Sequence, residues 1–297
     1  MFLPVMNFAL TTRWNAGRHT DGEAMIEEIL DMGFSRVELG YDLRLDLVPG
    51  VTKMVQSGRV RVDSLHNFCP VPVSAPRGHP ELYTLASTDR QVRQGAVHHT
   101  SKTIRFAAEV GAKAVVVHSG YVDAPRMTDQ LAALFEQGQQ FSDLYEKIKL
   151  KLQINREKKA RKQLDYLCEG IEQLMPVLVE ANVKLALENL PTWEAIPTEM
   201  EMEGLIAKFG TEHLACWYDL GHGQIRHNLG FINQERWLER LSPFMVGMHI
   251  HDVLPPRSDH LMPPHGQVDF KSLKRFATPA LFKVIEPTPD TPREAIV

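Results

Sequence analysis

Apolar residues along this chain gather in short runs, and five of those runs end on a residue able to hold a metal ion. Val183 to Leu187 leads into Glu188, Ala114 to Val117 into His118, and Leu214 to Tyr218 into Asp219. Met245 to Met248 leads into His249, and Leu281 to Ile285 into Glu286. Short, largely apolar runs bounded by turn-forming residues predict strands buried on both faces, as in a parallel sheet. A carboxylate at the tip of such a strand must find a partner, because an unpaired buried charge is costly.

Helical patterns alternate with these runs. Thr20 and Glu23 read as a capping box opening a helix through Met25, Ile26, Ile29 and Leu30, which stops near Gly33. Val5–Leu10, Arg36–Gly40 and Val60–Leu65 read as three further strands, the last followed by His66. Helices are expected over Val51–Gln56, Asp89–Val110, Glu199–Phe209, Gln234–Leu241 and Ser272–Phe276. Eight strands alternating with helices predict an α/β fold, a single (β/α)8 TIM barrel over residues 1–297.

Residues 127–181 are too many for one barrel helix and predict a long helical insertion after the fourth strand. Within it Ile148, Leu150, Leu152 and Ile154 alternate with polar residues, so a short strand or extended segment is also consistent there. From about Lys162 the helical period returns through Leu164, Leu167, Ile171, Leu174 and Leu178. The insertion is a candidate homodimer contact. The Pro- and Gly-rich stretch from Asn67 to Thr88 follows a strand end, where barrel active-site loops lie. Asp219-Leu-Gly-His222 reads as a turn, and the Pro-rich stretch up to Phe270 as a loop.

Composition narrows the function. The 297 residues and 43% hydrophobic content suit one barrel with a large core. A formal net charge of -4 gives no general basic field for nucleic acid; only Lys147–Lys162 is locally basic. Three cysteines without CxxC spacing point to a reducing, cytoplasmic setting, and neither a signal peptide nor a membrane-spanning stretch is evident. GxGxxG, P-loop and GxSxG patterns are missing, so nucleotide-cofactor and serine-hydrolase chemistry have no support.

In a parallel barrel the C-terminal strand ends converge on one face, with neighbouring strands ~5 Å apart. Glu188, Asp219, His249 and Glu286 can therefore surround one ion. Three carboxylates in a dry mouth repel one another unless a cation neutralises them. With one imidazole they suit Mn²⁺, Co²⁺, Zn²⁺ or Mg²⁺. His222, three residues past Asp219, can face the same mouth, as can His66 and His118 from its far side. His260 and His265 lie in the loop after the seventh strand. His251 shares a face with His249 but lies past the strand end and ranks as secondary. Glu38 either holds a substrate hydroxyl or pairs with a nearby base.

The series Glu188-Asn189, Asp219-Leu-Gly-His222, His249-Ile-His-Asp252, the loop Asp259 to Asp269 and Glu286-Pro287 resembles the xylose-isomerase-like TIM-barrel superfamily. That group holds sugar and sugar-phosphate isomerases and epimerases, and also endonuclease IV. The resemblance spans most of the chain apart from the insertion. It implies a divalent-metal-dependent isomerase or epimerase acting on a keto-sugar or related polyol. Glu188, Asp219, His249 and Glu286 would hold the ion. Glu188 and Glu286 would move a carbon-bound proton through an enediolate, with His66, His118, His222, His260 and Glu38 around a small sugar. The alternative is an endonuclease IV-like metal-dependent phosphodiesterase on abasic DNA, with further zinc on His66, His118, His222 and His260. An aspartate expected two residues before His260 is Ser258 here, which with the charge balance weighs against nucleic acid.

Overall fold

The apolar runs lie side by side in the computed structural model of the chain, which describes residues 8–296. The barrel strands are β1 (Phe8–Thr11), β2 (Arg36–Leu39), β3 (Arg61–His66), β4 (Ala114–Val117), β5 (Lys184–Glu188), β6 (Leu214–Asp219) and β7 (Met245–Ile250). β8 (Asp252–Leu254) and β9 (Ser258–Leu261) form an antiparallel hairpin, and β10 (Phe282–Ile285) closes the parallel barrel between β7 and β1. The predicted (β/α)8 TIM barrel is thus the observed fold. The first strand begins at Phe8 as described; the expected Val5–Asn7 portion lies outside the described residues.

The helices are α1 (Gly22–Leu30), α2 (Val48–Gln56), α3 (Arg90–Glu109), α4 (Thr128–Glu136), α5 (Asp143–Ala181) and α6 (Glu199–Phe209). They continue with α7 (Leu220–Asn228), α8 (Gln234–Leu241), α9 (Phe270–Leu273) and α10 (Arg293–Ile296). Among the described residues none is long and apolar enough to cross a membrane.

Several local expectations are corrected. α1 is capped by Asp21, whose carboxylate accepts from the Glu23 and Ala24 amides, so Thr20 and Glu23 form no capping box. α2 starts at Val48, earlier than expected, because Pro49 fits the first turn where no amide is needed. Asp219 to His222 is not a free turn: Asp219 caps α7, and its Oδ1 accepts from the His222 amide at 2.7 Å. Gly221 and Gly223 hid that helix, since glycine is a poor helix former. They are needed for space, because a Cβ on Gly221 would lie 1.9 Å from the His251 ring. The Pro-rich loop holds the β8–β9 hairpin.

The insertion contains no extended segment. α5 runs unbroken for 39 residues, about 58 Å at the usual rise. Leu152 is buried while Leu150 and Ile154 are exposed, so the alternation follows neither face of a strand. Two polar residues interrupt the buried stripe. Arg156 gives its donors to the Trp193 and Ala195 carbonyls and to both oxygens of Glu201. Gln163 bonds the Tyr121 carbonyl and the Asp123 amide. These partners belong to the loops after β4 and β5 and, for Glu201, to the first turn of α6, so the helix clamps the segments that follow both strands.

Inside the barrel, Ala9, Ala114, Val116, Ala186, Trp217 and Val284 pack as one cluster. The indole of Trp217 fits only because position 247 is glycine; a Cβ there would come within 2.2 Å of the ring. Small residues and one large indole fill the interior and leave the strand tips as the floor of the mouth.

The helical placement of α5 predicts unequal effects from neighbouring leucines. Leu152→Ala should lower unfolding stability by about 2–4 kcal/mol, and Leu150→Ala by less than about 0.5 kcal/mol, measured by denaturant titration. Equal losses would contradict the continuous helix.

Candidate metal centre

Every barrel strand from β3 to β10 delivers a polar side chain to the same mouth. β3 ends on His66, β5 on Glu188 and β6 on Asp219; His118 and Glu286 follow β4 and β10 directly. Asp219 and His249 are register partners across β6 and β7, and Val284 of β10 pairs with His249. The side chains of Glu188, Asp219, His249 and Glu286 are all buried.

Glu188 stands at the centre. Its Oε2 lies 3.2 Å from His66 Nε2 and 3.1 Å from His118 Nε2. Its Oε1 lies 3.3 Å from His249 Nδ1 and 3.4 Å from His222 Nδ1. One carboxylate therefore joins two groups of imidazoles. His249 Nδ1 also lies 3.3 Å from Glu286 Oε2 and 3.7 Å from Asp219 Oδ2. The four residues expected to form one ligand set meet around that single nitrogen.

Glu38 occupies a different place from the one expected of a substrate contact. It is fully buried behind His249, with Oε1 3.1 Å from Nε2, and its other oxygen accepts from the Ser64 hydroxyl at 2.7 Å. A carboxylate on Nε2 fixes the imidazole orientation and leaves Nδ1 toward the mouth.

An outer set completes the wall. Asn189 holds the Asp219 backbone on both sides, donating to its carbonyl at 3.0 Å and accepting from its amide at 2.8 Å. His222 Nδ1 reaches the Asn189 carbonyl at 2.9 Å. His251, ranked secondary on sequence, is buried in the cluster. Its Nδ1 accepts from the His260 amide, so Nε2 carries the proton and donates to Asp219, 2.9 Å away. Here His251 supports Asp219, and its ring also lies in two donor groups, with His222 and His260 and with Asp219 and Glu286. His260 sits in the left-handed backbone region (φ 55°), stacked on His251, with Nε2 3.6 Å from Glu286. Its Nδ1 lies 3.2 Å from Asp259. His265 is exposed and apart from this cluster.

Sequence reasoning missed Arg13, Tyr41, Glu81 and Tyr121, and ranked His251 too low. Glu81 lies 3.3 Å from His118 Nδ1 and accepts a short hydrogen bond from the Tyr121 hydroxyl. It comes from the long loop after β3, whose path no periodicity reveals. The alternation of His249 with His251 was the one usable signal for the latter.

Electrostatically the cluster is a set of buried acids held ionised by imidazoles. Burial alone would push the Glu188 carboxyl up, but His249 and His118 hold it well below the usual range. Burial opposes Asp219 likewise, and His222 and His251 keep it low. Glu286 is lowered by His249, His260 and Arg13 against its own burial. Among the histidines, burial disfavours the charged form, yet Glu188 and Glu81 lift His118 to about 9, while Asp259 and Glu286 lift His260 to about 10. The donor set fits a divalent ion. His66, His118 and Glu188, and also Glu188, Asp219 and His222, offer atoms within 4.8 Å of one another. Carboxylate with imidazole suits Mn²⁺, Co²⁺ and Zn²⁺ in particular.

Comparison with known proteins places this geometry. A family model described as the xylose isomerase-like TIM barrel matches residues 26–281, and the chain belongs to that family. An uncharacterized protein of Methanocaldococcus jannaschii is 24% identical over 249 residues, covering 84% of this chain and 78% of that relative. The crystal structure of a D-tagatose 3-epimerase-like protein matches with TM-score 0.69 and 18% identity over 98% of this chain and 93% of the other. A 3-keto-D-glucoside 4-epimerase from E. coli matches with TM-score 0.67 and 14% identity over 98% and 97%. At these identities the likeness establishes the shared fold.

Ion binding should stabilise the protein. With Mn²⁺, Co²⁺ or Zn²⁺ at about 100 times its dissociation constant, the gain is about 2.7 kcal/mol, read as a rise in Tm. Glu188→Gln should remove most of that rise, because Glu188 belongs to two of the four donor groups and faces His66, His118, His222 and His249 at once. A Tm indifferent to all three ions would refute the site.

Proposed function

We propose that this member of the xylose isomerase-like TIM-barrel family is a divalent-metal-dependent sugar isomerase or epimerase acting on a keto-sugar or related polyol. One observation carries the reading: Glu188 and Glu286 both reach 3.3 Å from His249 Nδ1, from β5 and β10, with β6 and β7 between them. Two ionised carboxylates thus flank one point at the base of a buried mouth. The epimerases among the structural neighbours point the same way.

Glu188, Asp219, His249 and Glu286 would hold the ion. When bound, the ion supplies Lewis acidity that draws electron density onto the carbonyl and adjacent hydroxyl oxygens of the sugar. One glutamate takes the carbon-bound proton as a general base, and the electron pair moves onto the carbonyl oxygen. Delivery of a proton to the opposite face through the other glutamate, which first takes it from the imidazolium beside it (His118 at Glu188, His260 at Glu286), gives the epimer, and the first glutamate's proton returns to that imidazole through solvent after turnover. Return of the proton to the neighbouring carbon gives the isomer. His66, His118, His222 and His260 ring this point and would bond sugar hydroxyls. Glu38 and His251 would act one layer back, orienting His249 and Asp219. Burial of these groups excludes water that would otherwise protonate the intermediate.

The phosphodiesterase alternative is not favoured. Ser258 is exposed, while Asp259 is engaged by His260. The basic residues Lys147, Lys151, Lys158 and Arg161 lie on the exposed face of α5.

The test follows solvent deuterium entering ketoses by NMR, with metal content measured in the same samples. Glu286→Gln should slow exchange by about 10²–10⁴-fold, the usual worth of general acid–base catalysis, while part of the metal remains bound. Exchange at the wild-type rate in that variant would remove Glu286 from its role. Incision of abasic-site DNA by protein carrying three ions would replace the sugar reading altogether.

A further inference from the structure

Among the described residues, Arg13 is a guanidinium beside the proposed ion ligands that pairs with Glu286 yet donates no hydrogen bond. It follows β1 directly, in a short 3-10 turn over Thr12–Trp14. Its neighbours fix that turn. Thr12 is fully buried and accepts from the Gly40 amide at 2.9 Å. Trp14 is buried and donates its indole N–H to the Thr291 carbonyl at 2.8 Å. Arg13 alone of the three turns toward the mouth, with its side chain 22% exposed.

Its guanidinium lies 3.7 Å from Glu286 Oε1 and 5.5 Å from the centre of the Tyr41 ring. Among the described residues it makes no side-chain hydrogen bond. Arg156 shows how this chain treats a structural arginine: all of its bonding nitrogens meet carbonyl or carboxylate oxygens at 2.6–2.7 Å. A guanidinium has five donors and no acceptor, and leaving them unbonded in a partly dry site is costly. The carboxylates around it are Glu286, whose Oε2 faces His249 and His260, Asp42, and Asp259, which pairs with His260; none of them accepts a hydrogen bond from the guanidinium. A planar fork of N–H donors matches a carboxylate or phosphate bidentately, which a sugar hydroxyl cannot do.

We propose that Arg13 is an anion-binding residue of the substrate pocket, so that the sugar carries a carboxylate or a phosphate at the end lying toward β1. This rests on the isomerase reading for its position relative to the ion. Glu286 borders both the proposed ion and Arg13, so a sugar held by its carbonyl oxygens extends its far end over Tyr41 to the guanidinium. Arg13 then decides which ketoses are turned over and leaves the proton transfer to the glutamates.

The experiment uses Mn²⁺-loaded wild type, Arg13→Gln and Arg13→Lys. D-fructose is the neutral probe, 5-keto-D-gluconate the carboxylate and D-fructose 6-phosphate the phosphate. Affinity is read by calorimetry and exchange by deuterium incorporation. For wild type, one of the two anions should bind about 10- to 100-fold tighter than fructose, the range for hydrogen bonds to a charged group. Which anion it is separates carboxylate from phosphate. Arg13→Gln should bring the anion-to-fructose ratio close to one, and Arg13→Lys should restore part of it. A ratio near one in wild type, or an equal ratio in wild type and Arg13→Gln, overturns the proposal. Anion binding that depends on Arg13, without deuterium exchange in any ketose, would keep the anion site and sink the isomerase reading instead.

Discussion

Everything at the mouth depends on one buried carboxylate. Glu188 lies at the end of an apolar strand, out of water, with each oxygen facing a different pair of imidazoles. Such a charge persists in the interior only where opposite charge surrounds it. The histidines supply that charge in the protein as described, and a divalent ion would supply it more compactly. The same condition applies to Asp219 and Glu286. This shared need for positive charge makes strand tips from four sides of the barrel into one site.

Rigidity comes from the layer behind. Glu38 and Ser64 hold His249, Asn189 and His251 hold Asp219, and the Glu81–Tyr121 pair backs His118. Beneath them Trp217 lies 5.1 Å from the His249 ring and fills the barrel interior. Gly247 and Gly221 are the spaces that let Trp217 and His251 come so close. Outside, α5 reaches across the rim and fastens the loops after β4 and β5 through Arg156 and Gln163. A hinge in any of these contacts would loosen the carboxylates, whose separation sets which proton they can reach.

The parallel barrel and its acidic tips were legible because both follow from local pattern. A strand buried on two faces must be apolar, and a polar residue at its end stands out. What stayed hidden had a physical reason in each case. The buried stripe of α5 contains Arg156 and Gln163, so an apolar period could not reveal it. α7 begins with two glycines retained for space and so resembles a turn. Glu38 resembled a substrate contact because sequence shows the residue at the strand end but not that His249 lies in front of it. Glu81 and Arg13 come from segments without periodicity, and only the closed barrel brings them to the mouth. His251 was visible by alternation, yet its strand was expected to stop two residues earlier than its contacts do.

Charge conservation links the buried site to the proposed chemistry. Moving a proton from carbon to a glutamate creates one negative oxygen on the sugar as it removes one from the protein. The number of charges in the dry mouth stays constant; the negative charge only shifts from carboxylate to sugar oxygen. A low-dielectric site penalises new charge far more than relocated charge, so burial that would hinder hydrolysis suits this transfer. Phosphodiester cleavage would instead bring in an extended polyanion and an attacking water, needing an open, basic rim. The rim here carries Glu81, Asp259 and Asp42 near the ligands, with Arg13 set among them at one place. On the proposed reading, that arrangement would admit a small molecule with one anionic end in one orientation and would present its reacting carbons to Glu188 and Glu286 rather than to solvent.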